Sequence, residues 1–348
     1  MKNKNSLPPH FNPKNAAKYD YDANAMELLS AATEWRQAEG IKPAGADKKK
    51  VHLLIIDAQR DFCFPPPNGS LYVGGRSGTG AIDDNARLAR FIYANLGRIT
   101  DITTTLDTHY AFQIFFPAFW LDANGKHPAP MTMITSADIR SGKYQPNPAV
   151  ANFLCQGNYV WLRKQVEFYA EMLEKTGKYS LTIWPPHCLL GSPGHALAGI
   201  IQEARLFHSF ARGAQSNSEV KGTHPLTENY SILRPEVLLR HDDKMPLTQK
   251  NTLFLEKLIE ADILIIAGQA KSHCVAWTID DLLTEIRAKD ESLAKKVYLI
   301  EDCTSAVVVP NIIDFTDEAD KAFARFAAAG MHVVQSTELI EDWPDVKL

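Results

Sequence analysis

Short aliphatic runs separated by amphipathic stretches constrain this chain more than any other feature. Val51–Ile56 and Ile263–Ala267 are almost wholly apolar, and strand-like runs recur at about Ile99–Leu106, Val297–Ile300 and His332–Gln335. Helical spacing fills the intervals: Ala25–Gln37, about Ile82–Leu96, Ala196–Ala204, Thr252–Glu260, Val275–Ala288 and Thr316–Ala329. A strand without a polar face is covered on both sides. The pattern therefore predicts an α/β fold in three layers, α/β/α, around a mostly parallel, doubly wound sheet. Ligands of such sheets bind beyond the carboxyl ends of the strands.

Two regions fall outside this alternation. Residues 1–24 are polar and carry Pro8, Pro9 and Pro13, which predicts an extended arm; with the following helix it makes an N-terminal extension, 1–50, ahead of a main domain at 51–340. Residues 112–182 hold one helical pattern, Tyr159–Glu174, among turns and prolines, and a stretch of that length reads as an insertion or lid. A net charge of −4 argues against a nucleic-acid surface, and no apolar stretch approaches the ~20 residues that span a bilayer. Five scattered cysteines do not suggest a disulfide framework, and Met1–Tyr21 has no apolar signal core. These readings point to a soluble, cytoplasmic protein. The arm is too polar to fold alone, so a homo-oligomer in which it wraps a neighbour is expected.

Polar residues just past the strands are the candidates for chemistry. Asp57 ends the first strand, where burial raises a carboxyl pKa and suits it to proton transfer. Asp107 and His109 end the second, two apart and able to reach one ion. His187 follows Pro185-Pro186, which stiffen its approach and suit it to metal ligation. Each also fits a plainer role as a cap or a hydrogen-bonded core residue, and Lys221, taken alone, is a surface lysine. Cys274 stands where the Ile263–Ala267 strand gives way to a helix. The helix dipole and free amides there favour a thiolate, although a buried cysteine can equally be packing.

Together the segments Asp57-Ala58-Gln59-Arg60-Asp61-Phe62, Asp107-Thr108-His109, Trp184-Pro185-Pro186-His187-Cys188, Lys221-Gly222-Thr223…Tyr230-Ser231 and Gly268-Gln269-Ala270…Cys274-Val275 occur in order. In that order they resemble the isochorismatase-like cysteine hydrolases, nicotinamidase type, over roughly residues 51–336. The resemblance implies a catalytic triad of Asp57, Lys221 and Cys274, an oxyanion site near Ala270–Cys274, and a cis peptide at Gln269–Ala270. It implies a divalent metal, most often zinc in the family, on Asp107, His109 and His187. It also implies an aromatic pocket of Phe62, Trp184 and Tyr230, and hydrolysis of a small-molecule amide, nicotinamide, through a thioester in pyridine nucleotide salvage. The chain departs from the family in its first 50 residues and in the roughly seventy residues between His109 and His187. Gln113-Ile114-Phe115-Phe116 and Lys271-Ser272-His273 also depart from its pattern. These departures border the pocket and leave open another small amide as substrate rather than another reaction class. Two competing readings stand beside it: a binding protein on an inactive hydrolase fold, against which all six polar positions being intact speaks, and metal-centred hydrolysis with Cys274 a bystander. The turn before the helix should aim the His273 side chain away from Cys274.

Overall fold

The computed structural model describes residues 7–176 and 179–348; residues 1–6 of the expected arm and 177–178 of the expected insertion lie outside the described residues. The principal elements in chain order are α1 (Ala25–Glu39), β1 (Val51–Ile56), α2 (Gly80–Ala94), β2 (Asp101–Asp107) and α3 (Tyr159–Thr176). Then follow α4 (Gly199–Arg212), β3 (Asn217–Lys221), α5 (Thr252–Glu260), β4 (Ile263–Gly268), α6 (Ala276–Lys289), β5 (Val297–Ile300), α7 (Thr316–Ala328) and β6 (His332–Val334).

The six strands form one sheet in the order β3-β2-β1-β4-β5-β6, and every neighbouring pair is parallel. Alternation along the strands divides the core. Leu53, Ile55, Ile265 and Ala267 face the layer of α1, α2 and α4, while Leu54, Ile56, Leu264 and Ile266 face α5, α6 and α7. This strand order reverses between β1 and β4, which makes their carboxyl ends the crevice where a doubly wound sheet takes its ligand. Asp57 leaves β1 there, and the segment carrying Cys274 leaves β4 beside it. Gly268 closes β4 at φ +116°, and a Cβ on it would lie 2.1 Å from Ile56 O, so only glycine lets the two strand ends approach this closely.

The segment expected as an insertion builds a third apolar cluster, in which Ile114, Phe116, Phe119, Trp120 and Ile183 pack on Leu162, Val166 and Tyr169 of α3. Leu226 and Val237, from the long connection between β3 and α5, complete it. Residues 7–24 lie on their own chain rather than extending from it. Leu7, Phe11 and Tyr19 pack on the main core, the Tyr21 hydroxyl bonds Glu203 of α4, and Asp22 pairs with Arg60. Leu7, Phe11 and Tyr19, expected to wrap a neighbour, are thus packed in cis. Among the described residues no helix is long and apolar enough to cross a membrane.

Candidate active site

β3 is an edge strand with mostly exposed side chains, yet its last residue, Lys221, is buried, its Nζ turned beneath the carboxyl ends of β1 and β2. Pairing of Asp107 with Lys221 fixes that placement. The Lys221 ammonium lies 2.9 Å from Asp57 Oδ2 and 2.9 Å from Asp107 Oδ1. It donates to Asn229 O at 2.9 Å and to Cys274 Sγ at 3.5 Å. A surface position for Lys221, its default as a lone residue, is thereby corrected. The two carboxylates hold its ammonium charged well above the ordinary lysine range although burial opposes them.

Asp57 is wholly buried, with φ at +45°. Thr105 of β2 holds it, accepting the Asp57 N–H at 3.0 Å and donating its hydroxyl to Oδ1. Burial raises the carboxyl above its usual range, with Lys221 opposing. Cys274 lies within a π-turn, Lys271–Val275, before α6 begins. Burial pushes its thiol well above the ordinary cysteine range, Lys221 works the other way, and a hydrogen bond to Asp57 favours the protonated form. This corrects the expectation of a dipole-stabilised thiolate. The resting sulfur is a thiol beside a carboxyl able to take its proton.

The Gln269–Ala270 peptide is cis. The Gln269 N–H is committed to Ile56 O at 2.7 Å, and the Lys271 N–H to Ser305 O at 2.7 Å. The N–H groups of His273 and Val275 turn to Ala270 O, at 3.0 and 3.2 Å. Both Ala270 and Cys274 line the cavity.

Asp107, His109 and His187 offer ligand atoms that all lie within 4.8 Å of one another. His109 Nδ1 donates to Gly222 O at 3.0 Å and His187 Nδ1 to Pro185 O at 2.8 Å, tautomers assigned from these partners. Both Nε2 atoms then present lone pairs toward Asp107 Oδ2, at 2.8 and 3.6 Å. Three acceptors converging on one point suit a cation, and the two carbonyls supply the outer contacts that orient metal-binding imidazoles. Burial keeps His187 neutral, as ligation requires. Asp107, despite burial, is held well below the carboxylate range, with the Lys221 ammonium beside it favouring the charged form. Gly222, at φ +78°, is required because a Cβ there would stand 2.5 Å from His109 Cε1 and 2.7 Å from Asp107 Oδ1.

Cys274, Asp107, His109 and His187 border one cavity of about 550 Å³, its mouth included, walled by Phe62, Phe115, Trp184, Tyr230, His273 and Val307 among others, with Asp57 and Lys221 directly behind Cys274 and Asp107. The structure thus brings every sequence-predicted site residue to one place. His273 also lines this cavity, its ring stacked on Tyr179 at 4.7 Å and its Nδ1 paired with the Ser272 hydroxyl at 2.8 Å. Burial lowers its pKa to about 3, so it is a neutral wall. Sequence reasoning missed Thr105 and Glu228. It also missed Gln59, whose side-chain amide clamps the Asp107 backbone through N–H to Oε1 at 2.7 Å and Nε2 to O at 2.8 Å. Gln59 could have been found from its place two residues past a strand-end aspartate; Glu228 carries no such signal.

No protein-family profile and no curated relative matches this sequence. Solved structures similar to it include an Acinetobacter baumanii nicotinamidase/pyrazinamidase, 19% identical over 84% of this chain and 98% of that one, TM-score 0.49. A yeast nicotinamidase, Pnc1p, bound to the inhibitor nicotinaldehyde is 19% identical over 82% and 99%, TM-score 0.48. A Pyrococcus horikoshii pyrazinamidase in complex with zinc is 16% identical over 82% and 99%, TM-score 0.42.

Proposed function

We propose that this chain is a cysteine-dependent amidase that hydrolyses nicotinamide to nicotinate and ammonia. The observation that carries the reading is the Lys221 ammonium, which joins Asp57 to the Cys274 thiol and to the metal-type ligand Asp107, the latter two lining one cavity. The donor set of Asp107, His109 and His187 fits a divalent cation, zinc in this reading. Bound there, it supplies a Lewis acid for the ring nitrogen of a pyridine carboxamide.

The chain's own residues account for the bond changes. Asp57 takes the Cys274 proton as Sγ attacks the amide carbon, so the nucleophile forms only with substrate in place. The N–H groups of Ala270 and Cys274 receive the developing oxyanion, an interaction worth about 3–4 kcal/mol per preorganised donor. As the carbon–nitrogen bond breaks, the protonated Asp57 gives its proton to the leaving nitrogen and ammonia departs. Water then attacks the thioester, losing a proton to Asp57, and the carbon–sulfur bond breaks to return the thiol. Lys221 holds Asp57 in line throughout. Phe62, Trp184 and Tyr230 flank the planar ring. The product acid would re-enter pyridine nucleotide synthesis in the cytoplasm.

The test is ammonia release from nicotinamide by zinc-loaded full-length protein, with Cys274→Ala as control. Release by the native chain and none by the variant is expected. No release from nicotinamide, with release from another small amide, would replace the substrate and leave the chemistry. Full activity in Cys274→Ala would remove the covalent route.

A further inference from the structure

One more buried carboxyl borders the cavity, and neither the triad nor the metal-type cluster uses it. Glu228, in the connection between β3 and α5, is 3% exposed and lines the same pocket. The Tyr230 hydroxyl donates to its Oε1 at 2.8 Å, and the Trp184 indole N–H reaches that oxygen at 3.3 Å. The Tyr169 hydroxyl donates to Oε2 at 2.8 Å and accepts the Glu228 N–H at 3.2 Å. Trp184 and Tyr230 are themselves joined, N–H to hydroxyl, at 3.4 Å.

Two of these partners form the cavity wall, and the third lies behind it. Trp184 and Tyr230 line the pocket; Tyr169 lies on α3, fully buried in the apolar cluster of residues 112–182. An aromatic side chain that rotates about its χ angles is fixed by a bond to a buried acceptor, because no water replaces the bond if it is lost. Burial raises the Glu228 carboxyl to about 7, and its three donors work against that rise.

We propose that Glu228 is a positioning residue: it fixes Trp184 and Tyr230, is itself clamped by Tyr169, and so lets the 112–182 segment set the size of ring the cavity admits. The proposal deepens the amidase reading and rests on it for the ring-bearing substrate. The insertion acts from behind the wall. Tyr169 touches Glu228, Glu228 touches the two aromatic rings, and the rings bound the space above Cys274.

The test compares Tyr169→Phe, Glu228→Gln and Glu228→Ala with the native full-length, zinc-loaded chain. Two readouts are taken: KM and kcat for nicotinamide, and the rates at which iodoacetamide and its N-phenyl derivative alkylate Cys274. Tyr169→Phe, which leaves a buried N–H and carboxyl oxygen unpaired, is expected to raise KM about ten-fold with kcat within about two-fold. It should shift the ratio of the two alkylation rates by a similar factor while the iodoacetamide rate holds. Glu228→Gln keeps an acceptor for Tyr230 and Trp184 and should lie nearer the native ratio than Glu228→Ala. Unchanged KM and alkylation ratio in Tyr169→Phe, with only a lower melting temperature, would overturn the proposal. If the native chain hydrolyses no carboxamide, the amidase reading fails, and the alkylation ratio alone then decides for or against the positioning role.

Discussion

Gly222→Ala is the substitution whose effect the structure specifies most fully. The residue sits at φ +78°, where an alanine costs about 1–2 kcal/mol from backbone sterics alone. The new methyl would stand 2.5 Å from His109 Cε1, 2.7 Å from Asp107 Oδ1 and 3.0 Å from His109 Nδ1, so the imidazole or the carboxylate must shift. Either movement disturbs two members of the metal-type cluster and the bond from His109 Nδ1 to Gly222 O. Disturbing contacts that orient ligands typically costs 10–100-fold in metal affinity, or about 1.4–2.7 kcal/mol of metal-linked stability. Thermal melts with and without zinc, read beside a chelator-competition titration, separate the two effects. The expected result is a few degrees lost without metal and a markedly smaller gain when zinc is added. Zinc affinity equal to that of the native chain would refute the argument that Gly222 exists to make room for the cluster.

Asp57→Asn leaves the shape of the site but no base for the thiol, and ammonia release should fall about 10²–10⁴-fold; an unchanged rate would remove Asp57 from proton transfer. Lys221→Met leaves Asp57 and Asp107 buried without their shared cation, so a stability loss of about 3–5 kcal/mol is expected in chemical denaturation, and an unaltered midpoint would contradict the burial argument. His208 is buried with Nε2 on Ile99 O at 2.9 Å, and burial lowers its pKa from 6.5 to about 4. The native state therefore holds fewer protons than the unfolded chain between those values. Its contribution, on the order of 3 kcal/mol, is present above pH 6.5 and lost as pH falls toward 4. Denaturation midpoints across that window should flatten in His208→Gln; an undiminished slope would show that other groups carry it.

The fold was legible where side-chain burial alone defines an element. β1 and β4 are buried along their whole length, so their apolar runs announced them, and with them the strand ends that carry Asp57 and Cys274. β3 was not legible: it is an edge strand whose Val220 is 52% exposed, and backbone pairing to β2, not burial, makes it a strand. For the same reason Lys221 looked like a surface residue until its resemblance to the family motif was weighed. The polarity of the Cys274 environment was misjudged because a local dipole is readable from sequence, whereas desolvation depends on what the fold stacks above it. Residues 7–24 looked unable to pack because their few apolar side chains, Leu7, Phe11 and Tyr19, are widely spaced among polar ones. Glu228 was invisible because its three donors come from α3, the Trp184 segment and its own connection.

The covalent step is the centre of this account, and acid quenching during turnover tests it directly. Zinc-loaded protein mixed with excess nicotinamide, quenched within one turnover and digested, should yield the Cys274 peptide carrying a nicotinoyl group. That adduct should be absent in Asp57→Asn. Turnover of nicotinamide with the Cys274 peptide always unmodified, and sustained in Cys274→Ala, would contradict the thioester mechanism.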